Sequence, residues 1–119
     1  MTRTTNSVPR HRRRKRLLKK AKGFYGDRKN HLRQTKDAVM KALAYNYVHR
    51  KDKKGDFRSL WINRIGVAAK INGISYSKLM HGLKRAGCLL NRKMLADLAI
   101  RDPRAFEQVV GSAKQALAS

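Results

Sequence analysis

Carboxylates are scarce in this sequence. Seven Asp and Glu stand against 30 Lys and Arg, leaving a formal charge of +23. So few acids, so widely scattered, form no acid/base pair of the kind hydrolytic chemistry needs. Cysteine occurs once, at Cys88, which excludes an intramolecular disulfide and a Cys-based metal site and makes an intracellular location the default. Flanked by Gly87, Leu89 and Leu90, Cys88 reads as a small buried residue rather than a nucleophile. His11, His31, His49 and His81 lie far apart without paired ligand spacing, and there is no Gly-Lys-Ser/Thr phosphate loop. The expectation is a non-enzymatic protein with no cofactor and no small-molecule substrate.

Long apolar runs are missing too. Nothing approaches the roughly 20 residues that a membrane span requires. Leu17 and Leu18 are followed at once by Lys19 and Lys20, so the basic N-terminus lacks the apolar stretch of a signal peptide. An organellar transit peptide is the alternative for an Arg-rich, acid-poor start, but the basic residues continue well past such a segment. A cationic membrane-active helix is disfavoured because the basic region has no broad apolar face.

What the chain does have is positive charge, unevenly placed. Residues 1–58 carry 20 Lys and Arg against 4 Asp and Glu, a net of +16, while residues 59–119 carry 10 against 3, a net of +7. Charge of one sign at that density repels itself, so the first half calls for a polyanion around it, and nucleic acid is the natural one. The longer apolar clusters begin near Phe57, which places the core in the second half. A segment of about 60 residues is marginal as a stand-alone fold, which suits a protein stabilised by its partner.

Along the chain, residues 1–8 read as a tail and Pro9 fits the first turn of a helix to about Lys22. Arg10, Arg12, Arg13, Arg14, Lys15, Arg16, Lys19, Lys20 and Lys22 point in nearly every direction around that helix. Only Leu17, Leu18 and Ala21 form an apolar strip. A helix charged almost all round is either solvated or embedded in phosphates, and this density favours phosphates.

Gly23-Phe24-Tyr25-Gly26 interrupts the helix. Its aromatics either tuck against neighbouring helices or stack on an exposed base. A long helical pattern then starts near Asp27 as cap and runs from residue 28 to 72, a span of roughly 67 Å at about 1.5 Å per residue. Its narrow stripe is Leu32, Val39, Leu43 and Tyr47, and Arg28, Lys29, Arg33 and Lys36 face a partner. Phe57, Trp61, Ile65 and Ala68, broadened by Leu60 and Ile71, continue at helical spacing. Gly55 costs a helix about 1 kcal/mol relative to Ala, and Asp56 can start a new one, so the sequence leaves open whether the helix runs on unbroken or bends or breaks there.

Three short helices follow. Ser75 or Asn72 caps one to Ala86, closed by Gly87; Asn91 caps a second through about Ile100; Asp102-Pro103 starts a third. Their apolar sets are Leu79 and Leu83; Met94, Leu95 and Leu98; and Phe106, Val109, Val110, Ala113 and Leu117. With Trp61 and Ile65 they make one small helical core, Trp61 anchoring it. No stretch alternates with period two, so no sheet is expected. The fold class is therefore all-α, a long basic N-terminal helical extension (residues 1–56) followed by a small C-terminal helical bundle (residues 57–119).

Three blocks, in this order and spacing, carry a resemblance. They are Lys19-Lys20-Ala21-Lys22-Gly23-Phe24-Tyr25-Gly26, Phe57-Arg58-Ser59-Leu60-Trp61-Ile62-Asn63-Arg64-Ile65, and Asn72-Gly73-Ile74-Ser75-Tyr76-Ser77-Lys78-Leu79. The chain from about Arg10 onward resembles the bacterial large-subunit ribosomal protein of the L-twenty family. The resemblance implies an all-α protein whose extension threads into large-subunit ribosomal RNA, with a compact C-terminal domain on the RNA surface. It also implies a role in subunit assembly beside neighbouring ribosomal proteins in the cytoplasm and, in some bacteria, repression of its own messenger RNA. The chain departs from the family pattern at Thr4 to Pro9, at Gly66 and at Gly55-Asp56.

The candidate RNA contacts are Arg3, the basic residues of the first helix, Phe24 and Tyr25, and Arg28, Lys29, Arg33 and Lys36. Arg50, Lys51, Lys53, Lys54, Arg58 and Arg64 continue the set. On the C-terminal domain Lys78, His81 and Arg85 share a face opposite Leu79 and Leu83. Arg suits bidentate phosphate grips, and Arg12 to Arg14 are three in a row. The competing reading is a DNA-condensing, histone-like protein, since charge alone does not separate duplex DNA from structured RNA.

Overall fold

Residues 6–119 are described by a computed structural model, and among them only helices and connecting turns occur. Asn6 opens α1 (Ser7–Lys20) by accepting a hydrogen bond from the Val8 N–H at 3.1 Å. A single 3₁₀ turn follows at Gly26–Lys29, and the long helix α2 spans Leu32–Ile71. It begins later than Asp27, which lies inside the 3₁₀ turn with its carbonyl accepting from the Asn30 and His31 N–H groups and its carboxylate 3.5 Å from the His31 ring. At 40 residues α2 measures about 60 Å. It runs through Gly55 and Asp56 without a break: one exposed glycine costs about 1 kcal/mol, which its helix-forming neighbours Lys51, Lys53, Lys54 and Arg58 offset.

The remaining helices start where local chemistry says they should. Ser75 Oγ accepts from the Lys78 N–H (3.4 Å) to open α3 (Tyr76–Arg85), and Asn91 Oδ1 accepts from the Met94 N–H (2.9 Å) to open α4 (Arg92–Arg101). Asp102 Oδ1 accepts from the Ala105 N–H (3.0 Å) to open α5 (Pro103–Ala118), with proline in its first turn. The alternative cap, Asn72, instead donates through Nδ2 to the Ala68 carbonyl. At the end of α2, Gly73 adopts φ +72° and the Ile74 N–H reaches back to the Ala69 carbonyl at 3.0 Å. The same pattern closes α3 through Gly87, φ +68°, and the bond from the Cys88 N–H to the Leu83 carbonyl. These are Schellman ends, which need a residue free to take positive φ. They turn Ile74 and half-buried Cys88 inward as apolar plugs.

The chain divides into two compact units, one ending at Lys51 and the other running Asp52–Ser119. In the first, burial is sparse among the described residues: Ala21, Thr35 and Val39 are covered. Leu17 and Leu18 are half-buried. Of the narrow stripe Leu32, Val39, Leu43 and Tyr47, only Val39 is covered and the other three are exposed, because periodicity makes an apolar face but does not provide an element to cover it. The hydroxyl of Thr35 is buried with no hydrogen-bond partner among the described residues.

The second unit holds the core. Ile65 and Ala69 of α2, Ile74, Leu79 and Leu83, Leu95 and Ala96, and Phe106, Val110 and Ala113 form one buried cluster. Trp61 is half-buried at its margin rather than an anchor at its centre, tilted against Phe57 with ring centroids 6.3 Å apart. Phe57, Leu60, Ile71 and Met94, expected on the apolar faces, lie exposed at the surface. The most intimate crossing is α3 on α5, where Gly82 meets Ala113 with no room for a side chain. Two polar ties reinforce the unit: Arg92 Nε donates to Tyr76 Oη at 2.9 Å, and Lys114 Nζ donates to the Asn72 carbonyl at 2.8 Å. The second satisfies a carbonyl that the end of α2 leaves without an intrahelical partner.

Candidate nucleic-acid interface

Helix α1 carries Arg10, Arg12, Arg13, Arg14, Lys15, Arg16, Lys19 and Lys20 in the sequence SVPRHRRRKRLLKK, which contains no carboxylate. All eight are exposed, as is Lys22 in the turn that follows. Such a helix buries nothing of its own and presents cations on every side. Lys15, Lys19 and Lys22 meet Lys29 around a cleft of about 550 Å³ with Leu18, Gly23 and Asn30. Four lysines around one concavity repel one another, and an anion between them would relieve that repulsion.

The 3₁₀ turn exposes Arg28 and Lys29, and α2 exposes Arg33, Lys36, Arg50, Lys51, Lys53, Lys54, Arg58 and Arg64 along its length. None of these cations has a carboxylate partner within ion-pair distance: among the described residues the pairs are His31 with Asp27 and Arg101 with Asp97. Lys51 and Lys53 instead lie over the rings of Tyr47 (5.4 Å) and Phe57 (5.7 Å). Unpaired, exposed guanidinium and ammonium groups keep their full set of donors for an external anion.

On α3, Lys78, His81 and Arg85 are exposed on the face opposite buried Leu79 and Leu83. Phe24 is half-buried, whereas Tyr25 is 91% exposed. Arg3 lies outside the described residues. Two basic residues of the second unit serve the fold itself, Arg92 through Tyr76 and Lys114 through Asn72.

Lys41, Tyr45 and His49 form a group on α2 that charge and apolar periodicity do not single out. They stand one helical turn apart on α2, with the Lys41 ammonium 5.8 Å from the Tyr45 ring centroid and the His49 ring stacked on Tyr45 at 5.8 Å and 7°. Their i, i+4, i+8 spacing is the signal that was there to find. No group of three or more His, Cys, Asp or Glu that could hold a metal occurs among the described residues. Among the described residues no helix is long and apolar enough to cross a membrane.

The chain as a whole is similar to known proteins. The family model described as ribosomal protein L20 matches residues 3–109. The large ribosomal subunit protein bL20 of Protochlamydia amoebophila (strain UWE25) is 68% identical over 118 residues, covering 99% of this chain and 100% of that protein. Proteins of the same name from Chlamydia felis (62% identical; 98% of this chain and 97% of that one) and Chlamydia trachomatis serovar D (61%; 98% and 95%) align over nearly their whole lengths. Their names describe parts of a ribosomal subunit, not enzymes. With a family match across almost all of its helices and such identity over its full length, this chain belongs to the ribosomal protein L20 family.

Proposed function

We propose that this protein is a structural constituent of the large ribosomal subunit in the bacterial cytoplasm, where it binds large-subunit ribosomal RNA directly and supports subunit assembly. The observation that carries the reading is the set of exposed basic residues on α1 and α2 that have no carboxylate partner. Residues 1–56 form an extension that penetrates the RNA, its Lys and Arg neutralising backbone phosphates and releasing counterions. Residues 57–119 form a compact domain that meets the RNA surface through Lys78, His81 and Arg85. Neighbouring large-subunit proteins complete its surroundings. The same RNA-binding surface serves to repress its own messenger RNA, which a translational reporter carrying that message's leader tests.

The direct test is binding to protein-free large-subunit ribosomal RNA across a salt series. With about 10 phosphate contacts, log affinity falls against log salt with a slope of roughly −7 to −9. A slope near zero, or equal affinity for plain duplex DNA together with copurification with the nucleoid, overturns the reading in favour of DNA condensation.

A further inference from the structure

A groove of about 420 Å³ lies between the Phe24-Tyr25 turn and α2, lined by Phe24, Tyr25, Arg28, Ala38, Lys41, Ala42 and Tyr45. Its volume falls in the range of small-ligand sites, about 300 to 1,000 Å³. Ala38 and Ala42, one turn apart, form a floor of methyl groups. Half-buried Phe24 and the exposed rings of Tyr25 and Tyr45 supply aromatic walls. Arg28 and Lys41 stand at the same groove, and no carboxylate lines it.

The two tyrosines differ in how they are held. Tyr45 has neighbours along α2, the Lys41 ammonium and the stacked ring of His49. Tyr25 is 91% exposed, yet its backbone is set: it is extended (φ −65°, ψ 135°), and Gly26 after it takes φ +58°. An exposed aromatic ring beside a groove lined by alanine methyls and cations offers a flat face for stacking. The group that matches all of it is a planar heterocycle on a phosphodiester: the ring stacks on Tyr25 over the alanine floor while its phosphate meets Arg28 and Lys41.

We propose that this groove receives a single unpaired nucleobase of RNA, with Tyr25 as its stacking face. The inference rests on the RNA-binding reading and adds a base-selective point to an otherwise electrostatic interface. It also assigns Lys41 and Tyr45, which phosphate neutralisation alone does not distinguish from their neighbours.

The test uses the full chain, protein-free large-subunit ribosomal RNA, and three variants: Tyr25→Leu, Tyr25→Phe and Ala42→Leu. Loss of one stacked base predicts a 5- to 150-fold weaker affinity for Tyr25→Leu, with the salt slope unchanged. Tyr25→Phe keeps the face and the affinity, and Ala42→Leu fills the groove and weakens binding. Ultraviolet cross-linking places a mononucleotide adduct on the Tyr25 peptide, at a nucleotide that is unpaired. Wild-type affinity in Tyr25→Leu, equal loss in Tyr25→Phe, or indifference to Ala42→Leu overturns the groove. Circular dichroism separates a folding defect from a binding one. If the wild-type chain shows no salt-dependent affinity for the RNA, it is the broader reading that fails, not the groove alone.

Discussion

Gly82 touches the backbone of Ala113. A β-carbon added at position 82 would sit 2.5 Å from the Ala113 carbonyl oxygen and 3.0 Å from its carbonyl carbon. A backbone carbonyl cannot swing aside as a side-chain end can. In an ordinary helix interior, Gly→Ala gains about 1 kcal/mol. Here the overlap wins, and Gly82→Ala is expected to destabilise the Asp52–Ser119 unit by about 1 to 3 kcal/mol. Thermal denaturation with a midpoint equal to or above wild type would show that α3 and α5 tolerate separation.

Phe106 and Trp61 separate centre from margin. Phe106 is 1% exposed inside the cluster and Trp61 only partly covered. Phe106→Ala should cost about 3 to 5 kcal/mol. Trp61→Ala should cost less, about 1 to 3 kcal/mol, because part of its ring is already in water. Urea melts of the two variants check the order, and a larger loss at Trp61 would restore it as the anchor.

Gly55 offers the opposite sign to Gly82. It lies inside α2, and an added β-carbon would meet nothing within 4 Å. Gly55→Ala is expected to stabilise the helix by about 0.5 to 1 kcal/mol. Slower amide exchange from residue 52 to 58 and higher helical ellipticity are the readouts; no change would mean that this turn is already saturated.

The starts of α3, α4 and α5 were legible because caps act over three or four residues. Ser75, Asn91 and Asp102-Pro103 needed no knowledge of what packs on them. The same locality misled at Asp27, an eligible cap that pairs with His31 while α2 starts at Leu32. Contacts between helices were less readable. Leu43 and Tyr47 share an apolar stripe with Val39 yet lie exposed while Val39 is covered, and Gly82 matches nothing in particular yet sets the closest crossing. The candidate contacts divide likewise. Charge marks Arg12 to Arg14 without a structure, whereas Lys41 and Tyr45 acquire meaning only when the Phe24-Tyr25 turn comes back against α2.

Amide exchange in the free chain should divide sharply. Positions from Ser7 to Lys51 have three covered residues among those described, Ala21, Thr35 and Val39, and should exchange fast. Amides around Leu79, Leu95 and Phe106 should be the slowest, and adding large-subunit ribosomal RNA should slow the first group. Strong protection of α1 in the free protein would sink the idea that its helix is consolidated on binding.

The burial pattern also bears on the order of events during synthesis. Every member of the large buried cluster lies between Ile65 and Ala113, so a growing chain displays its +16 portion, residues 1–58, before any core-forming partner has been made. At about 5 to 20 residues per second, that interval lasts seconds. For its first moments outside the tunnel the nascent protein is a polycation without its large core, and whichever RNA lies nearest meets it first.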